Sequence, residues 1–135
     1  MPYDAALLKR SFQVLHAREP HIPRRFYEVF FKLHPTLAPM FHSRGRQELM
    51  FAKTLVAIID RVDDAPWLDE QLHELGKRHA SLPLRPEMWE WFRHALMTTF
   101  EQIAGEDWTP EVEATWGAAL TYITDGVRKS AAGAP

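Results

Sequence analysis

His79 lies on a predicted helix face that is otherwise lined by leucine. Leu68, Leu72 and Leu75 precede it at spacings of four, three and four residues, which put the four side chains on one face. A buried polar group without a partner costs about 1–3 kcal/mol, so the imidazole needs one. An ordinary core histidine bonds a backbone carbonyl, whereas a functional one offers a ring nitrogen to a ligand.

Two further polar side chains are predicted to face apolar surroundings. Tyr27 shares the aromatic face of another predicted helix with Phe30 and Phe31, and Gln47 opens the apolar stripe of a third. Each has a simple structural explanation: the tyrosine hydroxyl can reach a backbone carbonyl, and the glutamine can lie in solvent at its helix start. Taken together, three helices present polar groups to apolar interiors, and each group needs a partner.

The composition is that of a globular protein and excludes several kinds of site. Of the 135 residues, 46% are hydrophobic, and the five tryptophans require a large core or a flat apolar guest. A formal net charge of −2 gives no sign of a nucleic-acid or membrane partner. Because the chain has no cysteine, disulfides, thiolate metal sites and iron–sulfur clusters are excluded.

We expect one domain over residues 1–135. The sequence starts without a signal peptide and contains no apolar run long enough to span a membrane, so we expect a cytoplasmic protein. The tail from about Ser130 is predicted to be disordered.

Hydrophobic periodicity predicts an all-α fold of seven or eight helices, because each periodic segment has the helical period. Asp4 is the predicted cap of the first helix, and Thr109 caps the last, with Pro110 at its first position. The predicted segments are a helix over 4–18, a helix up to 33, a short turn of helix over 35–41, a loop at 44–46, a helix over 47–62, a break at 63–66, a helix from Trp67 through His79, a helix up to 104 after Pro83 and Pro86, a turn at 105–107 and a last helix from Thr109.

Short motifs follow one another in a characteristic order along the chain. They are residues 25–31 (RFYEVFF) with His34-Pro35, then Met40-Phe41, then Gln47, then 77–82 (KRHASL) with 85–87 (RPE), and finally 109–112 (TPEV) with Trp116. In this order and spacing, from about Ala5 to Val127, the sequence resembles the globins. More narrowly, it is similar to the bacterial single-domain globins and to the haem domain of flavohaemoglobins.

The resemblance implies a globin fold that holds haem b between its fifth and sixth helices. His79 matches the proximal histidine, the axial ligand of the iron. Its other ring nitrogen is then expected to bond the carbonyl of Leu75, one turn back. Phe41 matches the phenylalanine that packs on the haem face. The further residues expected in the haem pocket are Phe30, Met50, Phe51, Leu75 and Trp89.

Tyr27 and Gln47 match the distal pair of flavohaemoglobin-type pockets. Bound dioxygen carries partial negative charge, and a phenol O–H and an amide N–H are suitable donors to it. One such hydrogen bond in a dry pocket contributes about 1–3 kcal/mol, which corresponds to roughly 10–100-fold slower ligand loss. Arg44 and Arg46 are alternative groups that reach the haem propionates, and His42 is a candidate for contact with the haem edge.

The sequence departs from flavohaemoglobins at three points. The segment between Phe41 and Gln47 is shorter. Flavohaemoglobins brace the proximal histidine with a tyrosine and a glutamate, whereas here the tyrosine position holds Trp89 and the glutamate position falls near Ala131. Without a carboxylate to push electron density to the iron, peroxidase-like or fast dioxygenase chemistry is disfavoured. The flavin and nicotinamide domain is missing from this sequence, so any turnover is expected to need a separate reductase.

We therefore expect a haem globin that binds dioxygen, nitric oxide or carbon monoxide at its iron. The alternatives are a nitric oxide dioxygenase that works with a separate reductase, a gas-sensing subunit with a partner chain, and a haem-free interaction domain. His73 and His94 fall on polar helix faces, and we expect both to be solvated. Nothing in the sequence indicates the oligomeric state.

Overall fold

The computed structural model describes residues 2–41, 44–82 and 84–133, and every regular element within these ranges is helical. The fold is all-α, as predicted, with six α-helices and two short 3₁₀ helices, at Pro35–Met40 and Gly105–Asp107, in the described ranges. The α-helices are α1 (Ala5–Arg18), α2 (Ile22–Leu33), α3 (Arg44–Asp60), α4 (Ala65–His79), α5 (Pro86–Ala104) and α6 (Pro110–Gly133).

Side-chain caps define several helix starts. The Asp4 carboxylate accepts a hydrogen bond from the Leu7 backbone N–H at 3.0 Å, and the Thr109 hydroxyl oxygen accepts one from Val112 N–H at 3.2 Å. Each cap satisfies a first-turn N–H that has no partner within its own helix. Both caps are therefore confirmed at the residues that the sequence indicates.

Two helix starts differ from the sequence prediction. The predicted loop at 44–46 is wrong, because α3 already begins at Arg44. A glycine such as Gly45 suggests a loop, yet in a first turn it costs only about 1 kcal/mol. The predicted break at 63–66 is too long, because α4 begins at Ala65 with Pro66 in its first turn. Proline fits there since first-turn N–H groups need no helical acceptor.

The last helix, α6, extends to Gly133, past the Ser130 at which we expect disorder to begin. Its inner face forms the centre of the core. Trp116 is fully buried and packs against Phe100 with ring centroids 4.6 Å apart, and its indole N–H donates to the Ser11 hydroxyl at 2.8 Å. A single buried side chain thus ties α6 to α5 and to α1.

The helices around the candidate site are held by different neighbours. α4 packs mainly against α6, whereas α3 packs against α2 and α1, and α2 also packs against α5. Across the described ranges, α3 and α4 do not pack closely against each other although they follow one another in the chain. The two helices that carry Gln47 and His79 are therefore held in place by different neighbours. None of the helices described is both long enough and apolar enough to cross a membrane.

Candidate functional site

His79 lies in the last turn of α4 and is partly buried. Its Nδ1 lies 2.7 Å from the carbonyl oxygen of Leu75, so the predicted hydrogen bond to the preceding turn is confirmed. A carbonyl oxygen only accepts, so Nδ1 must carry the hydrogen. In the neutral ring Nε2 then has a free lone pair, which is the form of imidazole that binds metals.

Trp89, on α5, is the aromatic neighbour of His79. Their ring centroids are 6.0 Å apart and the ring planes are inclined by 49°. In the part of the chain that the structure describes, no carboxylate hydrogen-bonds to His79, whose only such partner there is the neutral carbonyl of Leu75. The surroundings of His79 therefore combine an imidazole, an indole and a backbone carbonyl.

Tyr27 lies on α2, and only 6% of it is exposed. Its ring contacts Phe26, Phe31 and Phe41 at centroid distances of 5.1, 5.6 and 5.3 Å, and Phe51 of α3 at 6.1 Å. Its hydroxyl makes no hydrogen bond to the residues described. The simple explanation for this tyrosine, a bond to a backbone carbonyl, therefore finds no support.

The Tyr27 phenol stays protonated over the physiological range. Burial raises its pKa to about 12, the negative charge of Glu48 acts in the same direction, and Arg44 opposes them. A phenol that remains protonated is a permanent O–H donor. The first turns of α3, which carry these two charges, therefore lie close enough to Tyr27 to influence it.

Gln47 lies in the first turn of α3 and is partly buried. Its Oε1 is buried and has no hydrogen-bond partner among the described residues. Rotation by half a turn about the Cγ–Cδ bond exchanges the amide oxygen and nitrogen with little change of shape, so this buried position is equally open to the N–H₂ donor. A buried amide without a partner costs about 1–3 kcal/mol, which a ligand would offset.

Two contacts hold the start of α3 against α2. The Arg24 guanidinium lies 3.7 Å from the Glu48 carboxylate, and the Arg44 guanidinium lies over the Phe31 ring at 4.9 Å from its centroid. Arg44 is thus engaged on the Tyr27 side of the molecule, and the interaction of Arg44 or Arg46 with propionates stays a prediction. His42 lies outside the described residues.

The residues expected to wall the pocket divide into two groups. Phe30, Phe41 and Phe51 join the aromatic cluster around Tyr27, with Phe30 and Phe41 centroids 6.3 Å apart. Met50 does not, because it is 52% exposed on the outside of α3. With Gln47 turned inward, the residue four positions on, Phe51, faces the cluster, and the residue three positions on turns away.

The structure adds one aromatic residue that sequence reasoning assigns only to the core. Phe92 of α5 lies 5.1 Å from Phe26 and 5.8 Å from Phe51, measured between ring centroids. It is three residues after Trp89, so one face of α5 carries both the neighbour of His79 and a member of the Tyr27 cluster. In the sequence, Phe92 is recognisable only as an apolar position on the buried face of α5. Such a position does not tell which helix packs against it.

His73 and His94 are on the surface of the molecule. His73 is exposed, with its Nδ1 3.2 Å from the Ser130 hydroxyl, and His94 is exposed as well. Both positions agree with the polar helix faces from which solvation is expected.

These side chains have the chemistry that a flat, metal-bearing guest requires. His79 offers a nitrogen lone pair, while α2 carries a protonated phenol and α3 carries a buried amide oxygen without a partner in the described residues. Aromatic rings surround the phenol, and a planar conjugated group packs well against such rings. Haem has this shape and this need for one axial imidazole.

Comparison with known proteins gives matches over most of the chain. Residues 24–127 match the globin family. The chain is similar to a flavohemoprotein of Vibrio cholerae (24% identity over 121 residues, 87% of this chain) and to one of Rhizobium meliloti (26% over 123 residues, 88% of this chain). A flavohemoprotein of Deinococcus radiodurans is 26% identical over 128 residues, or 92% of this chain.

The chain spans only about a third of the length of these relatives, between 30% and 32% of each. The matched region nevertheless covers α2 to α6 and includes Tyr27, Gln47 and His79. Because the family match extends over well more than half of the 135 residues, the chain belongs to the globin family.

Proposed function

We propose that this globin binds haem b through His79 and takes a diatomic gas, dioxygen in the first place, on the side of Tyr27 and Gln47. Membership of the globin family supports haem binding, and the flavohemoprotein relatives support it further. Haem, when bound, supplies the iron that holds the gas. The residues of this chain hold the iron, donate hydrogen bonds to the gas and exclude water.

The observation that carries the proposal is the hydrogen bond between His79 and Leu75. Since Nδ1 donates to the carbonyl at 2.7 Å, the tautomer of the ring is fixed and its orientation is restrained. A ligating histidine in a metal site almost always donates its other ring N–H to such an acceptor. An ordinary core histidine explains the Nδ1 bond equally well, but it leaves Nε2 without a role.

On the distal side, Tyr27 and Gln47 are the proposed donors to the gas. The phenol is held protonated by burial, and the Gln47 Oε1 lies buried without a partner in the described residues, at a position that the amide N–H₂ takes after rotation about the Cγ–Cδ bond. Donors that are already in place and shielded from water stabilise a partly negative ligand without reorganisation. Nitric oxide and carbon monoxide bind at the same position, with a weaker need for these donors because they carry less charge.

Gas binding is favoured over nitric oxide dioxygenation by the proximal partner. The Leu75 carbonyl is neutral, whereas a carboxylate would give the imidazole anionic character and push electron density to the iron. Nitric oxide dioxygenation would also require a reductase. A reductase partner therefore belongs only to the dioxygenase alternative, and a partner chain belongs only to the gas-sensing alternative.

Replacement of His79 tests the proposal. Purified with haem, the natural protein is expected to show a strong Soret band, and His79→Gly should lose stoichiometric haem unless imidazole is added, because free imidazole can occupy the vacated position. His73→Gly is the matched control, since it places glycine on the same helix at an exposed position. Haem retention by His79→Gly without imidazole, equal to that of His73→Gly, contradicts the assignment.

A further inference from the structure

Gly76 marks the point at which α4 and α6 approach most tightly among the described glycines. A Cβ atom placed there would lie 2.6 Å from the Val127 carbonyl oxygen and 2.9 Å from the Ala131 backbone nitrogen, and closer still to Ser130 Cβ. Two of these atoms belong to the α6 backbone and cannot turn aside as a side chain can. A residue other than glycine would therefore force the two helices apart.

This contact lies directly behind the proximal hydrogen bond. The Leu75 carbonyl, which accepts from His79 Nδ1, and the Gly76 Cα atom belong to the same planar peptide unit. Because that unit is rigid, α6 fixes the direction of the carbonyl when it fixes Gly76. His79 follows three residues later on the same helix.

We propose that residues 127–131, near the C-terminal end of α6, position the proximal histidine through the close contact of the α6 backbone and of Ser130 Cβ with Gly76. The inference rests on the proposed function to the extent that His79 binds iron. Gly76 is a positioning residue, which acts on the ligand through the 75–76 peptide.

If Gly76 only allows α4 and α6 to pack, its replacement should affect stability but not the iron–histidine bond. Gly126 and Gly117 serve as controls that distinguish this structural role from a positioning role. Gly126 lies in the same α4–α6 interface, but a Cβ there would meet side-chain atoms of Leu72, at 2.7 Å for Cδ1 and 3.2 Å for Cβ. Leu72 lies seven residues before His79 and can adjust its side chain. At Gly117 a Cβ would meet only Met97 Cε, at an ordinary 3.8 Å.

The experiment compares Gly76→Ala, Gly126→Ala and Gly117→Ala in the haem-loaded full chain. The iron–histidine stretching band of the ferrous protein, measured by resonance Raman spectroscopy, reports the proximal bond, and transfer of haem to an acceptor apoprotein reports its loss. For Gly76→Ala we expect a shifted band and roughly 10–100-fold faster haem loss, the range for removal of a partner that orients a ligating histidine. The haem-free form of each variant gives its thermal unfolding midpoint.

Gly126→Ala is expected to lower the unfolding midpoint while the band keeps its natural position, and Gly117→Ala is expected to change neither. An unmoved band in Gly76→Ala, or the same shift in Gly76→Ala and Gly126→Ala, overturns the proposal. If ferrous protein of the natural sequence shows no iron–histidine band at all, the proposed function fails instead. The two failures are therefore distinguishable.

Should Gly76→Ala not fold, the contact can be loosened from the other helix. Ser130→Gly removes the Cβ that faces Gly76, and a smaller band shift is expected. Ser130→Ala keeps this Cβ and removes only the hydroxyl next to His73, so it should leave the band unchanged. An unmoved band in Ser130→Gly overturns the proposal.

Discussion

The Tyr27 hydroxyl differs from those of the other two tyrosines of the chain. Tyr3 donates to the Val62 carbonyl oxygen at 2.8 Å, and Tyr122 donates to the Asp69 carboxylate, whereas the Tyr27 hydroxyl bonds to none of the described residues. A phenol O–H without a partner in the described part of the chain is free to donate to a ligand. This contrast singles out Tyr27 before any comparison with relatives.

Replacement of Tyr27 by phenylalanine should speed dioxygen release. The lost hydrogen bond corresponds to about 1–3 kcal/mol, and hence to roughly 10–100-fold in the dissociation rate, measured by stopped-flow displacement. Tyr3→Phe is the matched control, because it removes a buried phenol hydroxyl of structural role and should leave the rate unchanged. A dissociation rate of Tyr27→Phe equal to that of the natural protein would falsify the distal assignment.

At single residues, sequence predicts contacts within a helix better than contacts between helices. The bond from His79 to Leu75 follows from the four-residue helical spacing, and the structure contains it. The choice between Met50 and Phe51 does not follow, because both lie within one turn of Gln47 and only the packing of α3 decides between them. Gly76 has no signal at all, since a glycine within a helix does not reveal the backbone opposite.

At the scale of elements, α4 begins with two aspartates of different roles. The Asp64 carboxylate caps the helix by accepting from Trp67 N–H at 3.2 Å, and it also pairs with Arg61 at 2.7 Å. The Asp63 carboxylate pairs with Lys9 at 3.0 Å on the surface and caps nothing in the described structure. Of these two adjacent aspartates, one therefore caps a helix and the other forms an exposed ion pair.

Asp64→Ala is expected to lower the free energy of unfolding, because it removes the N-cap of α4. Asp63→Ala should cost less, because exposed ion pairs contribute little. Urea unfolding of the haem-free variants measures both changes. Equal losses in the two variants, or a larger one in Asp63→Ala, would show that the cap does not hold the start of α4.

Sequence predicts helix existence well and helix starts less well, for a physical reason. Apolar periodicity reports the part of a helix that packs on the core, and it correctly gives α1, α2 and α5. First turns project beyond the core, so the pattern stops short of Arg44 in α3 and of Ala65 in α4. A capping residue gives the helix start correctly only where it is recognised in the sequence, as Thr109 is for α6.

At the scale of the whole molecule, the tyrosines make stability depend on alkaline pH. Burial raises the pKa of Tyr27 to about 12 and also raises that of Tyr3, while the hydrogen bond to Asp69 raises the pKa of Tyr122 to about 12. In the unfolded chain each phenol titrates near its ordinary value of about 10. Above that pH the unfolded state binds fewer protons than the folded one.

We therefore expect stability to be complete below about pH 10 and to fall as the pH rises toward about 12. Urea unfolding midpoints of the haem-free protein through this window measure the fall, with tyrosinate absorbance as a second signal. Tyr27→Phe should show a shallower fall, because one of the three contributions is gone. A midpoint that stays constant across the window in the natural protein would refute the linkage.

The sequence-based fold prediction at this scale gives the class and the family but not the neighbours. Periodicity indicates buried faces without saying which faces meet, so neither the tight α4–α6 contact nor the separation of α3 from α4 was expected from it. The site is recognisable from sequence because its three polar residues interrupt apolar stripes. The aromatic residues around the site are harder to predict. Phe92 and Met50 both occupy apolar positions of a helical pattern, which does not show that only Phe92 joins the cluster.

The lack of close packing between α3 and α4 in the described structure has a thermodynamic consequence. Substitutions in α3 and substitutions in α4 act through separate neighbouring helices. In the haem-free chain their effects on the free energy of unfolding should therefore add. Only a guest that touches both walls can make the effect of one substitution depend on the other. If the two effects on the free energy of unfolding no longer add once haem is bound, the difference is the energy by which haem couples the α3 substitution to the α4 substitution.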